Sequence, residues 1–332
     1  MSLMSHLGII LVAAGAVTYV ARRVHIPTVV VLIVLGMILG THPVKGYLIG
    51  PHSRVISYLG DIGLLCLMFL AGLESSWHLL YKERKDAAMV AVFGLVIPFV
   101  MGVAVFRLIG FTWKAALIIG ICMSISAEAV RAKVLLELDK LNTRVGAALI
   151  GAGLLDDLMG LSLFAFISYF IQEAGTKEEL LVVLSIVVFF AGLSVQRIIG
   201  QKQTLMVGVE RCLNYVIVPF FFIAIGSHFS FSSLFVHMDL LALVLIIAVA
   251  GKLAGAFVIR PCCGFSWPQL HLIGWAMNSR GALGLALALI AFRSELISVE
   301  IYSCLILMAF VTTLTFPFII THMIRTHKGV ME

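Results

Sequence analysis

Asp156 and Asp157 stand side by side in an apolar stretch, about 143–171, that reads as a membrane-crossing helix. An ionised carboxylate at the centre of a bilayer costs roughly 2.5–3.5 kcal/mol on insertion scales, so the pair needs a cation, a proton, a bound ion or water. That chemistry belongs to a pathway for ions or protons. Neighbouring positions on a helix point about 100° apart, so one carboxylate is expected to face a cavity and the other an adjacent helix. Two cations, Lys252 and Arg280, also fall inside apolar segments. Because a lone positive charge is equally costly there, at least one of them should meet the aspartates.

The rest of the chain is built to hold such a site in lipid. Apolar residues make up 61% of the 332 and charged residues 12%, against about 25% charged in soluble domains, which implies a polytopic membrane protein. The hydrophobic runs number eleven, at about 4–21, 27–40, 55–80, 86–108, 113–137, 143–171, 179–199, 211–229, 238–259, 269–292 and 299–324. The first has no basic residue before it and runs into Arg22-Arg23, the reverse of a secretory signal, so it is read as a retained span. Of the 23 lysines and arginines, fifteen follow odd-numbered spans, Arg131 counted among them, and six follow even-numbered ones. Cytoplasmic loops collect basic residues, which places the N-terminus outside and the C-terminus in the cytoplasm of an inner membrane. The net charge of +6 is then matched by anionic lipid and needs no nucleic acid. The six cysteines show no metal-ligand spacing and are read as inert core thiols, and no cofactor is expected. The ten histidines, among them His25, His42, His52 and His78, fall mostly at span ends, and none is singled out as a sensor.

An internal repeat explains how the charged residues could come together. The stretch from Trp113 through Gly120 and Met123 to Ser126 resembles that from Trp267 through Gly274 and Met277 to Arg280. The spans before and after correspond in position, Asp156-Asp157 matching Thr312-Thr313, so spans three to six recur as spans eight to eleven. The offset of five is odd, and the copies therefore insert with opposite orientation. Inverted repeats place a site near the midplane, between interrupted helices. The polar breaks at 123–128 and 277–281 are the expected interruptions, with Glu128 and Arg280 balancing the dipole charges of the half-helix ends. Hydroxyls of Ser124 and Ser126, and the break at Asn278, are candidate oxygen ligands for a cation.

The segment 64–74, the break near Ser126, Asp156-Asp157, the segment 219–226, Arg280-Gly281 and the segment 312–317 together resemble the sodium/proton exchanger superfamily. The closer similarity is to its monovalent cation:proton antiporter-2 branch. The resemblance implies an all-α inverted-repeat antiporter fold with two crossed discontinuous helices, in one exchanger domain with repeat cores at 55–171 and 211–324 joined by a linking helix and loop at 172–210. It implies that Asp157 carries the cation, Na⁺ before Li⁺ or K⁺, or the proton, and that Asp156 pairs with Lys252. In such relatives an Asp-Asp pair goes with electrogenic exchange, and the resemblance as a whole implies a transporter with no enzymatic activity and a homodimer as the assembly. Two departures stand out: Glu128 occupies a position where a small or hydroxyl residue is common, and about two spans are missing between Gly175 and Val216. Three alternatives are a K⁺/H⁺ exchanger of the potassium-efflux type, a transport-inactive module of the same fold, and an intramembrane aspartyl protease. The last needs aspartates from different helices, which the adjacent pair does not provide.

Overall fold

The computed structural model describes residues 3–24, 26–74, 84–171, 177–199, 208, 212–327 and 329–331. His25 and His78, and much of the expected loop between 172 and 210, lie outside them. The principal helices are α1 (Leu3–Arg23), α2 (Thr28–Leu39), α3 (Ser53–Glu74), α4 (Arg84–Leu108), α5 (Trp113–Ser124), α6 (Glu128–Glu137), α7 (Arg144–Ile171), α8 (Lys177–Ile199), α9 (Val218–Ser227), α10 (Met238–Val258), α11 (Trp267–Ala276), α12 (Ala282–Arg293) and α13 (Val299–Thr326). Every expected hydrophobic run is occupied by a helix, and two runs hold a pair of half-helices, α5 with α6 and α11 with α12. Among the described residues no strand occurs, as expected where lipid cannot satisfy open backbone.

Local chemistry sets the helix ends. Thr112 caps α5 by accepting from the Ala115 N–H. Ser266 and Gln269 form a reciprocal capping box at the start of α11, with Pro268 in its first turn. Arg22 and Arg23 close α1, where the helix dipole favours positive charge.

The chain packs as two compact units, Met1–Ser75 with Lys177–Phe229, and Ser76–Thr176 with Ser230–Glu332. In the first, α2 and α3 pack on α9, and α3 also packs on α8. Glycines permit this closeness: a Cβ on Gly72 would lie 2.1 Å from the Phe189 carbonyl oxygen, and one on Gly192 would lie 2.2 Å from that of Phe69. Small residues at such crossings let backbones touch, which is how helices associate when lipid is as apolar as their side chains.

In the second unit α4 packs against α5, α7 and α10, and α10 against α11 and α13. Arg144, at the start of α7, donates through Nε and Nη2 to Asp86 on α4 and through Nη2 to the Cys263 carbonyl. The proposed repeat cores cut across the units, since the first helix of each, α3 and α9, belongs to the first unit and the rest to the second. The cysteines divide in a way the composition did not indicate: Cys122, Cys263 and Cys304 are buried, whereas Cys212 and Cys262 are exposed.

Candidate functional site

The two broken helices meet at their breaks. After Ser124 the chain runs extended through Ile125 and Ala127 before α6 begins at Glu128. After Ala276 it leaves helical geometry until Gly281, which precedes α12. The Ala127 N–H donates to the Ser279 carbonyl at 2.8 Å, and the Ser279 hydroxyl donates back to the Ala127 carbonyl at 3.2 Å. Gly281 makes the approach possible, because a Cβ there would stand 3.0 Å from the Ala127 Cα. Backbone groups freed by the interruptions are thus satisfied by protein, the condition for irregular backbone at membrane depth.

In each repeat the long helix that follows a break supplies a side-chain oxygen to it. From α7, Asp156 Oδ2 accepts from the Ser126 N–H at 2.8 Å and from the Ser126 hydroxyl. From α13, Thr313 Oγ1 accepts from the Arg280 N–H at 3.2 Å and donates to the Arg280 carbonyl at 2.8 Å. The acidic residue in one copy and the hydroxyl in the other do the same positional work with different charge.

Asp156 is completely buried, as is Lys252 on α10. Lys252 Nζ lies 3.9 Å from Asp156 Oδ1 and donates to Ser126 Oγ at 3.2 Å. Ser126 therefore bridges the acid and the base, and its hydroxyl is turned toward Asp156. The Ser124 hydroxyl donates to the Ile121 carbonyl within its own helix at 2.8 Å. Asp157, one residue further along α7, is only partly buried, and so is Glu128 at the start of α6. The pair is thus split between an interior carboxylate already bonded to protein and a more accessible one.

Arg280 is buried and spans the crossing: Nη1 donates to the Ile125 carbonyl and Nη2 to the Ala248 carbonyl, each at 3.1 Å. Ile125 follows the C-terminus of half-helix α5, where the helix dipole leaves partial negative charge, so the guanidinium offsets it. Glu128 sits in the first turn of α6, where a negative charge is favoured. Asn278 donates through Nδ2 to the Gly274 carbonyl at 3.0 Å, which secures the second break from the α11 side.

One charged residue was misassigned from the sequence. Arg131, counted there with the cytoplasmic loop cations, has no exposed surface and lies in α6, directly after the first break. Its Nε donates to the Ala127 carbonyl at 3.1 Å, and Nη1 donates to the Met277 sulfur in the second break. The charges acting on it are those of Asp156, Glu128 and Asp157. The signal was present in the spacing. A half-helix that begins at Glu128 in mid-membrane puts the residue three positions on along the same face, still within one turn of the break.

Comparison with known proteins gives the same architecture. The family described as sodium/hydrogen exchanger, transmembrane, matches residues 9–202 and 185–326. A Na⁺/H⁺ antiporter of Enterococcus hirae is 25% identical, the alignment covering 95% of this chain and 96% of the relative. The Na⁺/H⁺-K⁺ antiporter GerN of Bacillus cereus is also 25% identical, with 88% of each chain covered. Among solved structures, the sodium proton antiporter MjNhaP1 from Methanocaldococcus jannaschii superposes with a TM-score of 0.69 at 15% identity, over 98% of both chains. That likeness shows the fold, an all-helical membrane architecture of inverted repeats with two crossed discontinuous helices. With the family's match running through both broken helices and the Asp156-Asp157 helix, this chain belongs to the sodium/hydrogen exchanger family of transmembrane proteins.

Proposed function

We propose that this protein is a secondary antiporter that exchanges a monovalent cation, Na⁺ first, for protons, with Asp157 as the group both ions share. The observation that carries this reading is the division of labour within the aspartate pair. Asp156 is enclosed and engaged by Ser126 and Lys252, while Asp157 stays partly accessible beside the crossed helices. A carboxylate that can hold either a cation or a proton, but not both, couples the two fluxes. Arrival of the cation at Asp157 weakens the hold of Asp156 on Lys252. Lys252 then releases a second proton, which makes the exchange electrogenic. The names of similar proteins support the cation and proton assignment. GerN, whose name includes K⁺, makes K⁺ the second cation to test.

The same reading places the protein in an inner membrane with its N-terminus outside, follows the distribution of basic residues, and takes a homodimer as the working assembly. It keeps the repeat cores at 55–171 and 211–324, with access alternating by movement of the part that holds the broken helices against the rest. Purified protein in liposomes carrying a pH-sensitive dye provides the test. An outward or inward gradient of Na⁺ should drive counter-movement of protons, with a smaller response to K⁺, and silence with Na⁺, Li⁺ and K⁺ alike would reject antiport.

A further inference from the structure

Arg131 is a buried charge for which the exchange scheme above has no use. Its guanidinium is poorly matched: one donor reaches a backbone carbonyl, one reaches a thioether sulfur, and Nη2 has no hydrogen-bond acceptor. A fully buried guanidinium held by such partners is costly unless negative charge lies close. Asp156 already engages Ser126 and Lys252. The remaining negative charge comes from Glu128, one turn back on α6, and from Asp157.

Helix α7 is shaped to admit both side chains of α6. A Cβ on Gly153 would lie 2.6 Å from Glu128 Cγ and 2.9 Å from Arg131 Nη2. Gly153 is four residues before Asp157, on the same face of α7 and one turn away. The unpartnered end of the guanidinium therefore lies against α7 one turn from the carrier carboxylate. The charges that act on Asp157 are Glu128 and Arg131 on α6, its neighbour Asp156, and Lys252 on α10. Arg280, from the second break, acts on Asp156.

We propose that Arg131 is a tethered counter-cation of the ion site, a positioning charge that weakens the binding of both the transported cation and the proton at Asp157. This inference rests on the antiport reading. Without Arg131, the three carboxylates Asp156, Asp157 and Glu128 would face only Lys252 and Arg280, and the surplus negative charge would hold an incoming cation too tightly to release it. Turnover needs binding strong enough for entry and weak enough for exit. A fixed positive charge near the carrier serves that need for cation and proton together.

Cation titrations at several pH values, on the full chain in liposomes, test the idea. Arg131→Gln should half-saturate at about tenfold lower cation concentration above the protonation midpoint of the site and move the pH of half-maximal exchange upward by about one unit, with a slower maximal rate. Arg131→Lys, which keeps the charge, should stay near the wild-type profile. Arg131→Met provides the same neutralisation in a side chain that packs beside Met277, in case the glutamine variant folds badly, since volume-matched apolar replacements of buried charges are often tolerated. Neutral variants with wild-type half-saturation and pH profile, altered only in thermal stability or maximal rate, would reduce Arg131 to a structural residue. Wild-type protein in the same vesicles separates the two claims. Its failure to exchange removes both, whereas normal exchange with an unmoved Arg131→Gln profile removes only the role given to Arg131.

Discussion

Asp157→Asn is expected to abolish cation-driven proton movement, a loss of more than about a hundredfold, while the protein still inserts and folds. Asparagine preserves the size and hydrogen-bonding reach of the side chain but can neither carry a negative charge nor release a proton. Because Asp157 is partly accessible rather than enclosed, stability should change little, within about 0.5 kcal/mol by the usual range for sites away from packed cores. The two measurements are dye-reported proton flux in liposomes and thermal unfolding in detergent. Exchange at the normal rate in the asparagine variant would move the carrier role to another residue.

Lys252→Gln should both destabilise the protein and remove one translocated charge per cation. Lys252 and Asp156 are both fully buried with 3.9 Å between Nζ and Oδ1, and removing one partner leaves the other as an uncompensated charge. Breaking such a pair costs about 3–5 kcal/mol. Asp156→Asn in the same chain should recover most of that loss, because it removes the orphaned charge and its side chain can still accept the Ser126 N–H. The coupling energy from this double-mutant cycle should far exceed the roughly 0.5 kcal/mol seen for independent sites. Because Lys252 carries the second proton in the proposed cycle, the double variant should exchange one cation for one proton through Asp157, and the net current on a solid-supported membrane should vanish at equal cation flux. Additive stabilities would show that the pair is not energetically joined.

Much of the fold was legible because lipid imposes a simple rule on the sequence. Each apolar run of sufficient length became a helix, and the two polar interruptions at equivalent places in the repeats became the breaks between α5 and α6 and between α11 and α12. Partner choice was less legible. Hydropathy does not tell which helix touches which, so the assignment of α3 and α9 to one unit and of the remaining repeat helices to the other had no signature beyond glycines such as Gly72 and Gly226.

The site shows the same contrast. Of the two span cations expected near the aspartates, Lys252, the one the family resemblance implies, stands beside Asp156. The sequence does not indicate that Arg280 spends its donors on the backbone carbonyls of Ile125 and Ala248. Arg131 was hidden by the count of basic residues itself. A helix that starts in mid-membrane looks, in sequence, like the polar end of a span, and its charges are assigned to water.

The central claim is that cation and proton compete for one carboxylate, and the dependence of the apparent cation KM on pH tests it most directly. In liposomes containing wild-type protein, lowering the pH below the protonation midpoint of the site should raise the apparent KM for Na⁺ by at least about tenfold for each pH unit, the slope of the one proton displaced from Asp157, and more steeply where Lys252 also gives up its proton on binding. The maximal rate at saturating Na⁺ should be restored at each pH. A KM that stays constant across that range, with only the maximal rate falling, would contradict the account, because proton and cation would then be held at separate sites.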